Sequence, residues 1–137
     1  HKKMTFVTFL MTQNRPININ LLKIKLPLSA FLSITHRISG ILIFFLVLPL
    51  SILAFSELTQ NQDSFDNFMN MYHTNFGIKF GCIVLILIFQ YHIFAGIRHM
   101  LMDFHILNES LSSSYRSAVT TLVLFAINAL LTLWVML

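Results

Sequence analysis

Ionisable side chains with possible binding chemistry stand inside or beside the apolar stretches of this sequence. His92 lies in an uncharged apolar run, where an ionisable group is costly unless it has a partner. Haem iron is one suitable partner, because histidine is a common axial ligand and helical bundles offer an apolar slot. Gly96 follows one helical turn later, where the lack of a side chain would let a flat ring approach. A histidine hydrogen-bonded to a neighbouring helix is the alternative, and spacing alone leaves both open.

Further donors and positive charges gather at one end of the same stretch. His99 follows His92 by two helical turns on one face, roughly 10 Å further along the axis. Together with Arg98 and the upstream Arg37, it could supply positive charge and donors to the propionates of a haem held at His92. Arginines that merely flank a membrane span are the competing interpretation.

A second group of polar residues lies upstream, at Ser33, His36 and Arg37. Ser33 and Arg37 are one helical turn apart, so both would stand on one face. A hydroxyl and a guanidinium are both donors, and they could bind the carbonyl of a lipophilic substrate such as a quinone. The alternative is that Ser33 bonds back to a carbonyl of its own helix while His36 and Arg37 mark the membrane surface.

The elements that position these residues are membrane spans. Hydrophobic residues make up 56% of the 137 residues and charged residues only 10%, well below the share in soluble domains. Three segments lack Asp, Glu, Lys and Arg and are long enough to cross a bilayer as helices: Ile38–Phe55, Phe80–Ile97 and Ala118–Leu137. The sequence therefore predicts an all-α membrane protein with three transmembrane helices.

The bounds of these helices follow from the flanking residues. Residues 1–27 are predicted to be an N-terminal arm, and residues 28–137 a three-helix anchor domain whose first helix starts soon after Pro27. Pro49 predicts a kink in that helix. The second helix is predicted from near Asn75 to about Met102, after a polar loop over 57–73, and a connector over 108–117 precedes the third.

The charge distribution predicts the orientation of the chain. Of the nine Lys and Arg residues, all but Lys79 lie before the first span or between the second and third. Basic residues collect on the cytoplasmic or matrix side, so the arm and residues 104–117 are expected there, with residues 57–74 on the other side. Because the basic residues flank apolar spans, the formal charge of +4 does not indicate a nucleic-acid partner. The single cysteine, Cys82, cannot form a metal site by itself and is interpreted as a packing residue.

Two motifs carry a resemblance to a known family. Residues 33–40 read SITHRISG, which resembles the S-I-x-H-R-x-[ST]-G signature of succinate dehydrogenase cytochrome b subunits, and they follow Arg15-Pro16 at the family's upstream distance. Residues 92–103 read HIFAGIRHMLMD, which resembles the family's H-x-x-x-G-x-R-H-x-x-x-D segment. The resemblance covers about residues 15–137. One departure is that many members read S-P-H-L shortly after the Arg-Pro, where this chain reads ININL.

The resemblance implies a membrane-anchor subunit of succinate dehydrogenase, whose three transmembrane helices form part of a haem-binding helical bundle. Such subunits attach a flavoprotein and an iron–sulfur subunit to the bacterial inner membrane or the mitochondrial inner membrane. With a second small anchor subunit they bind haem b and form the site where ubiquinone is reduced. FAD and the iron–sulfur clusters belong to the partner subunits, so this chain would hold no active site for succinate.

For the haem, the resemblance implies that His92 is an axial iron ligand and that the second anchor subunit supplies the other histidine. It also implies that four residues lie near the haem propionates: His36, Arg37, Arg98 and His99.

For the quinone, the resemblance implies that Ser33 and Arg37 line the binding site, and that Asp103 matches an acidic position near it. One rival is a haem-free quinone-binding anchor of the fumarate reductase type. Another is a non-redox membrane assembly protein whose histidines only form hydrogen bonds between helices. The sequence leaves ubiquinone and menaquinone both open.

Overall fold

The computed structural model describes residues 26–107 and 110–137, and the predicted arm lies outside them except for its last two residues. The described residues form helices joined by short connections. In chain order they are α1 (Leu28–Leu42), a π-helical turn (Ile43–Val47), α2 (Leu48–Gln60), α3 (Gln62–Thr74), α4 (Phe76–Asp103) and α5 (Leu111–Met136). The predicted all-α class is confirmed.

Three of these helical segments are long and apolar enough to cross a membrane. They are Leu28–Gln60, which joins α1 to α2, then α4 and α5, with 33, 28 and 26 residues. The prediction of three spans is therefore confirmed. At about 1.5 Å per residue, even the shortest is about 39 Å long and exceeds a hydrocarbon core of about 30 Å. Each helix therefore extends beyond its apolar run, and the candidate site residues other than His92 lie on these extensions.

Pro49 is accommodated by a widened turn in the first span. Proline has no backbone N–H, so the carbonyl four residues before it cannot receive the usual helical hydrogen bond. The π-helical turn Ile43–Val47 precedes it, and the Leu48 N–H bonds to the Ile43 carbonyl, five residues back. The predicted disturbance at Pro49 thus takes the form of a π turn, a common accommodation within helices.

The segment 57–73 is helical for most of its length, and its prediction as a loop was wrong. Helix α2 continues to Gln60, and α3 begins directly after Asn61, whose side chain accepts a hydrogen bond from the Ser64 N–H at 2.8 Å. That contact is a standard N-cap, which satisfies a donor that the first helical turn leaves unpaired.

Helix α3 is amphipathic, which explains how a polar segment can fold this way. Phe65, Phe68, Met69 and Tyr72 follow the spacing of one helix face, and α3 packs against α2 and α4. The Tyr72 hydroxyl also donates to the Met136 carbonyl at 3.1 Å. Helix α3 therefore covers the end of the bundle opposite to the candidate site.

The connector between the second and third spans is shorter than predicted. Helix α5 begins at Leu111, because the Ser110 side chain accepts a hydrogen bond from the Ser113 N–H and caps the helix. The predicted connector over 108–117 therefore ends in two helical turns.

Helix α4 is central, because it packs against both α1 and α5, while α1 also meets α5. Small side chains allow these close approaches, since Ala95 and Ala118 are both buried. Leu32 of α1 is also fully buried. The beginning of α1 thus lies next to the end of α4, and the two groups of polar residues found in the sequence share one end of the molecule.

We expect Asp63 in α3 and Ser112 in α5 to lie on opposite sides of the membrane. Asp63→Cys and Ser112→Cys, each introduced with Cys82→Ser, should react with a membrane-impermeant maleimide from opposite faces of sealed vesicles. By the distribution of basic residues, Ser112 should be on the cytoplasmic or matrix face. Labelling of both positions from one face would contradict the three-span topology.

Candidate functional site

Helices α1 and α4 pack through a reciprocal exchange of histidine and glycine. A Cβ atom added at Gly96 would stand 3.1 Å from Nε2 of His36, and one added at Gly40 would stand 3.2 Å from Cε1 of His92. Each glycine therefore makes room for the histidine of the opposite helix. In this structure the ring that lies beside Gly96 is the His36 imidazole, and the approach of a haem to Gly96 stays a prediction.

Three imidazole rings lie together at this contact. The rings of His36 and His92 are stacked, with centroids 4.3 Å apart and planes at 16°. The ring of His99 is tilted by 37° against that of His36, with centroids 5.0 Å apart. His92 and His99, two helical turns apart on α4, therefore both contact the His36 ring of α1.

A buried serine joins the two helices beside these rings. Ser39 Oγ lies 2.7 Å from the His36 carbonyl oxygen of its own helix and 2.9 Å from Nδ1 of His92 across the contact. Only 5% of Ser39 is exposed, so water has little access to this pair of hydrogen bonds. His92 is therefore oriented from α1 by a serine hydroxyl and by the space at Gly40.

The histidines open onto a cavity of about 470 Å³. Four of the predicted site residues line it, namely His36, His92, His99 and Asp103, together with Gly96 and the apolar Ile93, Ile97 and Met100. Within the part of the chain that the structure describes, Nε2 of His99 is buried and has no hydrogen-bond partner. A buried nitrogen of this kind calls for a further polar group. Imidazole donors, apolar walls and this unpaired nitrogen fit a haem with its carboxylates.

The Arg98 side chain forms its hydrogen bonds with helix α5. Its guanidinium is buried, with 3% of the residue exposed, and Nε donates to Ser117 Oγ at 3.2 Å. Nη2 lies 3.2 Å from the Ser114 carbonyl oxygen and 3.3 Å from its hydroxyl. Arg98 therefore ties α4 to α5, and the structure does not bring it into the histidine cavity.

Ser33 and Arg37 keep their donors available. Among residues 26–107 and 110–137, neither side chain forms a hydrogen bond, and Arg37 is exposed. Thr35 behaves differently, because its hydroxyl donates to the Phe31 carbonyl at 2.9 Å and contacts the Tyr91 hydroxyl. The alternative in which Ser33 bonds back to its own helix is therefore not the arrangement found.

We expect Gly96→Ala to destabilise the α1–α4 contact by about 1–3 kcal/mol, because the added methyl group would overpack against the His36 ring. Gly81→Ala is the matched control on the same helix, since a Cβ there meets nothing within 4 Å. Thermal unfolding of the two variants in detergent should show a lower melting temperature for Gly96→Ala alone. Equal melting temperatures would mean that the His36 ring moves aside at no cost.

Ser39 and Gly40 were not predicted to act on His92. A usable signal is present in the sequence, because His36 and Gly40 are four residues apart and so are His92 and Gly96. Matching histidine–glycine pairs on two spans are consistent with a close helix crossing in which each ring fills the other's gap.

Comparisons of the sequence with known proteins show which family the chain is similar to. A family model described as "Succinate dehydrogenase/Fumarate reductase transmembrane subunit" matches residues 11–134, nearly the whole chain. The chain belongs to this family. Both motifs found in the sequence, at 33–40 and 92–103, lie within the matched range.

Individual members of the succinate dehydrogenase and fumarate reductase family are similar over most of the chain. The succinate dehydrogenase cytochrome b556 subunit of Coxiella burnetii is 38% identical over 93 residues, covering 68% of this chain and 74% of that protein. The cytochrome b560 subunit of Reclinomonas americana is 36% identical over 97 residues, covering 68% and 67%. That of Porphyra purpurea is 33% identical over 115 residues, covering 81% and 88%. The predicted resemblance to succinate dehydrogenase cytochrome b anchors is thereby confirmed.

Proposed function

We propose that this anchor subunit binds haem b through His92 and helps to form the site at which succinate dehydrogenase reduces ubiquinone. The observation that carries the proposal is the cluster of His36, His92 and His99 around one cavity at the basic end of the bundle. Family membership supports it, since the similar proteins are named as cytochrome b subunits of succinate dehydrogenase.

In this proposal, His92 and a histidine of a second small anchor subunit would hold the haem. Nε2 of His92 would bind the iron, while His36, His99 and the exposed Arg37 would stand near the propionates. The positions of His36 and His99 in the lining of the same cavity as His92 support that role. Arg98 would act at a distance from the propionates, since its guanidinium is held by Ser114 and Ser117. When bound, haem b supplies a one-electron redox centre.

The quinone would bind at Ser33 and Arg37, whose side chains form no hydrogen bond within the described residues. Two electrons and two protons convert the quinone to the quinol, and the electrons come from succinate oxidation in the flavoprotein through the iron–sulfur subunit. Arg37 would stabilise the quinone carbonyl oxygen electrostatically. Asp103, an exposed carboxylate at the end of α4, would lie near the quinone.

The same end of the molecule would face the catalytic subunits. Arg37 and Arg116 belong to this end, which the positive-inside rule assigns to the cytoplasm or the mitochondrial matrix. The flavoprotein and iron–sulfur subunits would dock there in either the bacterial inner membrane or the mitochondrial inner membrane. This chain would contribute the membrane end of the electron path and no succinate-binding residue.

Purification of the membrane complex through an affinity tag on this chain tests the proposal. We expect succinate-oxidising activity to co-purify with it, and the reduced-minus-oxidised visible spectrum to contain a haem b band. Activity without that band would favour the haem-free anchor of the fumarate reductase type. Absence of both from an intact, purified chain would favour the non-redox assembly protein.

A further inference from the structure

The hydrogen bonds of Ser39 determine which ring nitrogen of His92 carries a proton. A serine hydroxyl has one proton to donate, whereas a backbone carbonyl oxygen can only accept. The Ser39 hydroxyl lies 2.7 Å from the His36 carbonyl oxygen, so it donates its proton to the backbone of its own helix, α1. The contact of 2.9 Å to Nδ1 of His92 must then run the other way, with the ring nitrogen as donor.

A neutral imidazole has one protonated and one unprotonated ring nitrogen. If Nδ1 carries the proton that Ser39 accepts, Nε2 of His92 retains its lone pair. A lone pair on nitrogen is what a metal ion requires, and metal-binding histidines usually donate their other N–H to a fixed acceptor. The contact of His92 with Ser39 is of this kind, with the serine hydroxyl oxygen as the acceptor of the ring N–H.

We propose that Ser39 is a positioning residue that holds His92 in the tautomer and orientation needed to bind haem iron. The inference rests on the proposed haem ligation by His92. Two features make the contact specific. Ser39 is 5% exposed, so water has little access to replace it, and Gly40 leaves room for the His92 ring to approach α1.

The competing role for Ser39 is local. Serine and threonine hydroxyls in helices often bond to a carbonyl three or four residues back without any further purpose. Thr35 of the same helix makes such bonds and contacts Tyr91 instead of a histidine. Thr35 therefore provides a control in which a helix hydroxyl is lost while His92 keeps its partner.

Ser39→Thr and Ser39→Val form the decisive pair, because their side chains have nearly the same shape and only threonine has a hydroxyl. The complex is purified with each variant, and haem content, the ferric haem spectrum and the haem midpoint potential are measured. The N–H to oxygen hydrogen bond makes the imidazole a stronger electron donor, which favours ferric iron. Its loss in Ser39→Val should raise the potential by about 59 mV if the ferric-to-ferrous preference falls about tenfold.

We expect Ser39→Thr and the control Thr35→Val to keep the parent potential and spectrum, and Ser39→Val to shift both or to lose haem. Equal behaviour of Ser39→Thr and Ser39→Val overturns the inference, whether both keep the haem or both lose it. His92→Ala separates this result from the proposed function. If His92→Ala removes the haem while Ser39→Val leaves it unchanged, only the role of Ser39 fails. If His92→Ala leaves the haem unchanged, the ligation itself fails.

Discussion

His92→Ala is expected to remove haem b from the purified complex, whereas His99→Ala should leave it bound. Alanine offers no atom that could replace an axial nitrogen. Since changes to the outer partners of a metal ligand already cost about 10- to 100-fold in affinity, loss of the ligand itself should cost more. His99 is proposed to contact the propionates, so its loss should alter the midpoint potential while the iron keeps both axial ligands.

The two variants are well matched, because they remove the same side chain from one helix at positions two turns apart. The measurement is the reduced-minus-oxidised spectrum per mole of complex, with succinate oxidation by a soluble acceptor as the check on assembly. An unchanged haem band in assembled His92→Ala complex would falsify the ligand assignment. Loss of haem in His99→Ala but not in His92→Ala would mean that His99, and not His92, is the iron ligand.

Ser33→Ala and Arg37→Ala should depress quinone reduction while succinate oxidation with a soluble artificial acceptor is preserved. Among the described residues, neither side chain has a hydrogen-bond partner, and in the proposed arrangement the succinate site belongs to the partner subunits. A neutral donor is worth about 0.5–1.5 kcal/mol and a charged one about 1.5–3 kcal/mol. The rate of quinone reduction should therefore fall about 2- to 10-fold for Ser33→Ala and about 10- to 100-fold for Arg37→Ala.

Arg116→Ala provides the control for loss of positive charge, since Arg116 is an exposed arginine of α5 at the same end of the bundle. It should leave the ratio of the two activities unchanged. If both activities fall together in Ser33→Ala and Arg37→Ala, these residues serve assembly. If neither activity falls, the quinone binds elsewhere.

The membrane spans could be predicted from the sequence because lipid imposes a simple requirement. An uncharged run of about 20 apolar residues is typical of a membrane-spanning helix, and each of the three runs lies within a long helix. The start of α5 was less accessible, since α5 begins at Leu111 and its apolar run only at Ala118. Polar turns beyond the lipid look like loops to a hydropathy argument, which is why α3 was missed. The Asn61 cap and the spacing of Phe65, Phe68, Met69 and Tyr72 are the signals that indicate a helix there.

The candidate site was predictable only within each helix. The spacing of His92 and His99 places both on one face of α4, and that of Ser33 and Arg37 does the same on α1. Which residues of α1 and α4 meet depends on the relative axial position of the two helices. The residue spacing within one helix does not determine that position. For that reason the contact of Ser39 with His92 could not be deduced from the spacing within one helix. The turn of Arg98 towards Ser114 and Ser117 depends in the same way on the register of α4 against α5.

An experimental density map of the intact complex tests the central claim most directly. We expect a planar macrocycle beside the α1–α4 contact, with its iron bonded to Nε2 of His92 while Nδ1 of the same ring remains within hydrogen-bond distance of Ser39 Oγ. A map of the assembled complex that contains no macrocycle at this contact, or one that bonds the iron to His36 or His99, would contradict the account.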